Sequence, residues 1–220
     1  MLPNFNPIEF IIIIVPLLFA VTAHEVAHGY VAYKLGDPTA KNAGRLSLNP
    51  IRHLDIFGSF LLPIILKLSG APILFGYAKP VPVNFANLRQ YKTGTVLVAS
   101  AGVVTNFALA IISAGGFQIL RHIKISGGIL ILQPMMVILI KLFAYSVMIN
   151  LVLAIFNLIP IPPLDGGRIL TVLLPHQARQ KLKYIEPFGF LILIFLLFTN
   201  SLDLLITFFI TPLINLMLGG

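Results

Sequence analysis

The sequence predicts an all-α polytopic membrane protein. Hydrophobic residues make up 58% of the 220 residues and charged residues only 10%, whereas a soluble domain carries about 25% charged residues. Several apolar runs approach or exceed the length of about 20 residues that a helix needs to cross a bilayer. We therefore expect about four to six transmembrane helices, in a single membrane-embedded domain over residues 1–220.

The first apolar run predicts a long spanning helix over residues 7–34. Gly36 and Pro38 follow it directly and are typical of a helix end. The next apolar run, residues 56–68, contains Pro63 and is short for a spanning helix. We expect it to be a re-entrant segment that dips into the bilayer and returns.

The stretch after this segment predicts a short β-hairpin or edge strand. Ile73, Phe75 and Tyr77 alternate with other residues, which is typical of a strand. Pro80 and Pro82 follow, and proline confines a strand to a sheet edge or a turn.

Three further apolar runs complete the predicted helices. One covers about residues 95–120, and another covers residues 129–158, where we expect interruptions at Pro134 and Lys141. The tail, about residues 184–218, has a polar break in its apolar part. It is expected to form two half-length or tilted helices.

The first helix carries ionisable residues at a spacing that suits a metal ion. His24 and His28 are four residues apart, so they lie on one helix face, and Glu25 stands beside them. Such a pair can bind Zn²⁺, and the carboxylate can take a proton from a water on the metal. The alternative is a chance match in which both histidines bond to neighbouring groups. Ionisable residues inside a spanning helix are costly and usually functional, which favours the metal site.

A catalytic zinc needs a third protein ligand, which the sequence must supply from elsewhere. The chain has no cysteine. The other histidines, His53, His122 and His176, stand in predicted loops. Asp165 follows a long apolar helix in a turn rich in proline and glycine, and we expect it to be the third ligand. An ordinary Asp-Gly turn is the alternative explanation of the same residues.

These motifs resemble those of a known family. "HEVAH" with a distant "NLIPIPPLDGG" looks like the site-2 protease family of intramembrane zinc metalloproteases. "GRLSLNPIRHLDIFG" and "GYAKPVPVN" look like its small bacterial and archaeal members, which carry no PDZ or CBS domain. The resemblance covers about residues 8–170, the expected catalytic core.

The resemblance implies a role for five residues. His24, His28 and Asp165 match the zinc ligands of the family. Glu25 matches the catalytic glutamate, and Asn157 matches an asparagine that helps to hold the oxyanion. The implied activity is regulated intramembrane proteolysis, the hydrolysis of peptide bonds within or next to transmembrane segments of membrane proteins.

The chain departs from the family pattern at one point. The family often has Gly-Pro before a later asparagine, whereas this chain has Val103 after Gly102 and then Asn106. The departure leaves the predicted metal ligands unchanged.

The distribution of lysine and arginine along the sequence predicts the topology of the protein in the cell membrane. If the N-terminus lies outside and residues 56–68 are re-entrant, twelve of the 15 basic residues lie inside. The three that remain outside or near it are Arg121, Lys124 and Lys141. Because basic residues concentrate in cytoplasmic loops, we expect a multi-pass protein with its active site toward the cytoplasm. The net charge of +8 is then explained by an anionic leaflet and not by nucleic acid.

Two other functions fit parts of this pattern. A divalent-metal transporter could also place histidine and aspartate in helices, but transporters are often built on inverted repeats, and we find none here. A catalytically silent scaffold could bind membrane helices without cleaving them. The expected partners are therefore membrane-protein substrates with a transmembrane helix and the lipid bilayer itself, and the sequence does not determine an oligomeric state.

Overall fold

The structure, a computed structural model, describes residues 6–61, 65, 78–123, 132–199 and 204–219. The α-helices in these residues are α1 (Pro7–Lys34), α2 (Thr39–Asn42), α3 (Tyr91–His122), α4 (Leu132–Asn157), α5 (Asp165–Leu173), α6 (His176–Ile185), α7 (Gly189–Phe198) and α8 (Thr211–Leu218). Short 3₁₀ turns cover Pro50–His53, Phe85–Asn87 and Glu186–Phe188, and π-helical turns cover Ile56–Leu61 and Ile206–Ile210. The described residues include no β-strand.

Three helices, α1, α3 and α4, are long and apolar enough to cross a membrane. They pack against one another in all three pairs and form the centre of the molecule. Large apolar side chains point away from this bundle, and on α3 the side chains of Ile111, Ile112 and Ile119 are more than 60% exposed. Such a surface would be unfavourable in water, so it indicates a lipid-facing exterior and confirms the predicted helical membrane protein.

Small residues allow the three long helices to approach closely. Half of the buried positions of α1 and α3 are alanine or glycine, namely Ala20, Ala23, Gly29, Ala32, Gly94, Ala99, Gly102, Ala110 and Ala114. In lipid, helices associate mainly through such close packing and through hydrogen bonds between helices. The metal-binding candidates are therefore held between backbones that lie close together.

The first helix has the predicted bounds, and its start has a clear local cause. Asn6 precedes it, and the Asn6 side chain accepts hydrogen bonds from the backbone N–H groups of Ile8 and Glu9. Pro7 occupies the first helical position, where a missing N–H costs nothing.

The predicted interruptions of the third long helix are wrong. Helix α4 runs continuously from Leu132 to Asn157. Pro134 lies within it, and proline is tolerated in membrane helices because neighbouring groups satisfy the backbone that it frees. Lys141 stays in the helix, and its ammonium group lies 3.7 Å from the carboxylate of Glu9 on α1.

The segment between α1 and α3 begins and ends at the same end of the bundle. The backbone N–H of Arg89 donates to the carbonyl oxygen of Leu35 over 3.0 Å. Residues 56–61 form a single π-helical turn, but most of the predicted re-entrant run lies outside the described residues. The predicted strand over 71–77 also lies outside them, and residues 78–84 form no regular element. Both features stay predictions.

The tail returns to the opposite end of the bundle. Gln118 and Arg121, near the end of α3, donate to the carbonyl oxygens of Met217 and Leu218. The described residues of the tail include two short apolar elements, namely α7 and the π-helical turn that leads into α8. This arrangement agrees with the expected pair of half-length helices.

Candidate metal centre

Three side chains that are distant in sequence meet between α1 and α5. His24 and His28 lie one turn apart on α1, and their Nε2 atoms are 3.0 Å apart. The Oδ2 atom of Asp165 lies 3.2 Å from each of them. His24 and Asp165 are buried, and His28 is partly buried. The expected third ligand is thus brought to the two histidines.

Helix α3 holds both imidazole rings from one side. Val98, Gly102 and Asn106 follow one another at four-residue spacing and so share a face of α3. The Val98 carbonyl oxygen lies 2.7 Å from His28 Nδ1, and Asn106 Oδ1 lies 2.5 Å from His24 Nδ1. Gly102 sits between them, where a Cβ atom would lie 2.5 Å from the His24 ring. Glycine is required there because the ring occupies the space of a side chain.

Asp165 reaches the histidines because the turn before it, residues 158–164, packs tightly against the start of α5. It is the first residue of α5, and Gly166 and Gly167 follow it. A Cβ atom at Gly166 would overlap the carbonyl oxygen of Leu158, and one at Gly167 would overlap the backbone of Pro162. The two glycines therefore let the turn fold back onto α5 and fix the position of the carboxylate.

The three side chains suit a divalent cation such as zinc. Both Nδ1 atoms face oxygen acceptors, so each neutral imidazole carries its proton on Nδ1 and presents an Nε2 lone pair to Asp165. Among the described residues, no group donates a hydrogen bond to the buried Asp165 Oδ2. Three electron-pair donors this close repel one another unless a cation binds them. Tetrahedral ligands of zinc lie about 3.3 Å from one another, which is close to the distances found here.

Residues 78–84, which contain Pro80 and Pro82, orient the side chain of Glu25. Its Oε2 atom accepts a hydrogen bond of 2.8 Å from the backbone N–H of Val81. Val81 is buried, and its side chain lies close to Gly29, one turn beyond Glu25 on α1. Residues 78–84 therefore lie beside the glutamate that is expected to act as the base.

Asp37 anchors the same segment from the end of α1. Its carboxylate accepts hydrogen bonds from the backbone N–H of Asn84, the side chain of Asn87 and both donors of Thr39. Burial would raise the pKa of Asp37, but these hydrogen bonds outweigh burial and hold the pKa below its ordinary value. Asp37 is therefore ionised at neutral pH and ties the segment to the end of α1.

The other predicted site residue, Asn157, ends α4. Its side-chain nitrogen donates to the carbonyl oxygen of Leu153 in the same helix, over 2.9 Å. One of its N–H groups is thus directed back along α4. His53 contacts the Ser47 carbonyl oxygen and His122 contacts the Gln118 carbonyl oxygen, so neither joins the metal group found in the described residues.

Sequence reasoning named Asn106 only as a position of the family pattern, and it missed both the contact of Asn106 with His24 and the role of Asn150. Asn106 and Asn150 are both buried, and the Asn106 side chain donates to Asn150 Oδ1 over 2.8 Å. The signal was present in the sequence, because an asparagine within an apolar spanning helix faces the bundle interior and needs a partner. Which partners it would find depended on the packing of three helices.

The fold and the site together define a membrane-embedded metal hydrolase, with two histidines and an aspartate as donors and a glutamate beside them. The family described as "Peptidase family M50" matches residues 12–199. The chain therefore belongs to peptidase family M50, and the resemblance to site-2 proteases is confirmed. It is a zinc metalloprotease.

Curated relatives agree with this assignment, and three of them share the name "Putative zinc metalloprotease". YwhC of Bacillus subtilis is 42% identical over 187 residues, which cover 85% of this chain and 80% of YwhC. MJ0611 of Methanocaldococcus jannaschii is 32% identical over 76% of this chain and 73% of its own length. Rip2 of Mycolicibacterium smegmatis is 28% identical over 88% of this chain and 69% of its own length. No solved structure matches the chain.

Proposed function

We propose that this metalloprotease hydrolyses peptide bonds within or next to transmembrane segments of other membrane proteins, in regulated intramembrane proteolysis. One observation carries the proposal. His24, His28 and Asp165 converge at a bundle of three helices that are each long and apolar enough to cross a membrane. A peptide that reaches this centre must enter the bundle at membrane depth.

In this proposal, His24, His28 and Asp165 hold the metal ion through Nε2, Nε2 and a carboxylate oxygen. When bound, zinc supplies Lewis-acid chemistry that polarises a peptide carbonyl and makes water more acidic. The Asp165 carboxylate partly neutralises the cation, which lowers the cost of holding charge between apolar helices.

Glu25 is the proposed general base. It takes a proton from the attacking water and then passes that proton to the leaving amine. The hydrogen bond from Val81 orients the carboxylate for this exchange. Asn157 is the proposed donor to the developing oxyanion, and one of its two N–H groups bonds to the Leu153 carbonyl oxygen.

The proposed substrate is an extended stretch of a transmembrane helix. An amide within a helix is shielded by its own hydrogen bonds, so the helix must unwind before cleavage. Residues 78–84 form no regular element and contact Glu25 through Val81. A peptide that pairs along this segment as an added strand would therefore pass beside the base.

The proposed site lies nearer the cytoplasmic side of the cell membrane. Within α1, His24 is ten residues from Lys34, or about 15 Å along the helix, and farther from Pro7. Lys34 and Arg89 lie at the same end of the bundle, because Arg89 contacts Leu35. The expected concentration of basic residues at this end supports a cytoplasmic placement.

The test incubates the purified zinc-loaded protein in detergent with a model substrate that has a single transmembrane helix. We expect cleavage within or next to that helix, mapped by mass spectrometry, and loss of cleavage on adding a zinc chelator. Glu25→Gln should keep its zinc but lose about 10²–10⁴-fold in rate, which is the usual contribution of a general base. Glu9→Gln is the matched control, because Glu9 is exposed in the first turn of the same helix.

The same assay separates the proposed protease from its rivals. A transporter would leave the substrate intact and would move metal ions into proteoliposomes. A silent scaffold would bind the substrate helix and leave it uncut. Turnover of Glu25→Gln near the wild-type rate would remove Glu25 from the mechanism.

A further inference from the structure

A chain of hydrogen bonds runs from the metal centre across all three long helices. It starts at His24 Nδ1 on α1, which lies 2.5 Å from Asn106 Oδ1 on α3. The Asn106 nitrogen donates to Asn150 Oδ1 on α4 over 2.8 Å. The Asn150 nitrogen donates to the Ser146 carbonyl oxygen one turn earlier, over 2.9 Å. Asn106 and Asn150 are 0% and 1% exposed, so water cannot replace these partners.

The last partner in this series of hydrogen bonds, the Ser146 carbonyl, determines which group donates and which accepts in each of the others. A backbone carbonyl can only accept, so Ser146 fixes the NH₂ group of Asn150 on its side and turns Asn150 Oδ1 toward Asn106. That oxygen then holds the NH₂ group of Asn106, together with the carbonyl oxygen of Ala20 at 3.4 Å. The Asn106 oxygen is consequently left facing His24.

This direction decides which nitrogen of His24 carries the proton. An acceptor at Nδ1 requires a proton there, which leaves the Nε2 lone pair facing Asp165 and His28. His28 also carries its proton on Nδ1, but there the acceptor is the backbone carbonyl of Val98. Only the state of His24 therefore depends on side chains of other helices.

We propose that Asn150 is a positioning residue that acts through Asn106 to hold His24 in the metal-binding tautomer and orientation. The inference rests on the proposed role of His24 as a metal ligand. Without Asn150, the Asn106 amide keeps one long contact to Ala20 and is free to rotate by 180°, which would present an NH₂ group to His24 Nδ1. The metal-binding tautomer would then lose its acceptor.

The test measures metal binding directly. Full-length protein in detergent is stripped of metal, and its zinc dissociation constant is measured by competition with a chromophoric chelator. The visible absorption of the cobalt-substituted protein reports the geometry of the ligands. We expect Asn150→Leu to weaken zinc binding about tenfold, at the lower end of the range for residues that orient metal ligands, and to change the cobalt spectrum. Asn150→Ala serves the same purpose if the larger side chain prevents folding.

Ser113→Ala is the matched control. Ser113 on α3 bonds to the Ser146 hydroxyl on α4 over 2.8 Å and is buried. Its removal takes away a polar link between the same two helices without touching Asn106. Asn150 keeps its shorter bond to the Ser146 carbonyl oxygen at 2.9 Å, and the Ser146 hydroxyl at 3.3 Å is only its second acceptor. We expect it to lower the unfolding temperature while zinc affinity and the cobalt spectrum stay at wild-type values.

A double-mutant cycle tests whether Asn150 acts through Asn106. Asn106→Leu alone should weaken zinc binding roughly 10–100-fold, and adding Asn150→Leu should weaken it by no more than about twofold further, because the two act as one unit. Wild-type zinc affinity in Asn150→Leu, or full additivity in the double variant, overturns the proposal. His28→Ala distinguishes a failure of the proposed metal site from a failure of the positioning role of Asn150. If His28→Ala leaves zinc affinity unchanged, the proposed metal site is wrong. If His28→Ala loses zinc affinity but Asn150→Leu does not, only the positioning role is rejected.

Discussion

Replacing Gly102 with alanine is expected to displace His24 from the metal centre. The new Cβ atom would lie 2.5 Å from His24 Cε1 and 2.6 Å from both ring nitrogens. Non-bonded carbon atoms rest about 3.5–4.0 Å apart, so the ring or the helix must move by about 1 Å. Distances from zinc to its ligands tolerate only about 0.2 Å. We therefore expect zinc affinity to fall by at least about tenfold.

Two other glycines of the same helix provide matched controls. A Cβ atom at Gly116 would lie 2.6 Å from the ring of Phe143, about 21 Å along α3 from Gly102, whereas one at Gly115 would meet nothing within 4 Å. Gly116→Ala therefore reproduces the overpacking, which costs about 1–3 kcal/mol of folding stability, without touching His24. Gly115→Ala reproduces only the change of residue.

The assay combines zinc affinity, from chelator competition, with the unfolding temperature of the metal-free protein. Gly102→Ala should lose affinity, Gly116→Ala should lose stability with normal affinity, and Gly115→Ala should change neither. The reasoning is refuted if folded Gly102→Ala binds zinc as tightly as the wild type. It is also refuted if Gly116→Ala loses as much affinity as Gly102→Ala.

Two further predictions concern the third ligand and the threading. Asp165→Ala should release its zinc on dialysis while Glu9→Ala retains it, because Asp165 Oδ2 lies 3.2 Å from both histidines and Glu9 stands in the first turn of α1; unchanged zinc content in a metal analysis would exclude Asp165 as a ligand. The chain has no native cysteine, so a single cysteine at the exposed position Lys79 should resist an impermeant thiol reagent in intact cells, whereas one at His122 should react. Ready labelling at Lys79 from outside would contradict the proposed orientation.

Much of the fold could be predicted because the bilayer restricts the choices. A helix that crosses lipid must be long, apolar and internally hydrogen-bonded, so the bounds of α1 were predicted correctly from the sequence. The break expected at Pro134 was wrong, because α4 continues through that residue. Proline is tolerated in membrane helices, where neighbouring groups satisfy the backbone that it frees.

The site could be predicted only in part. His24 and His28 belong to one helical turn, and local geometry alone places them together. The supporting residues could not be assigned in this way, because Asn106 and Asn150 act through partners on other helices. Nothing in the local sequence indicated that Val81 would donate to Glu25, since the two residues are 56 positions apart.

The amino-acid sequence by itself indicated that this protein lies in a membrane, that one helix carries two histidines at a spacing that suits a metal ion, and which motifs place it among zinc metalloproteases. Composition and helical periodicity are local properties, and they can be read without knowing the packing. Tertiary structure alone decided that Asp165 lies 3.2 Å from both imidazoles, that Gly102 makes room for a ring, and that Asn106 and Asn150 link His24 to two other helices. These features depend on distances between segments, and such distances are set by how closely the helices pack.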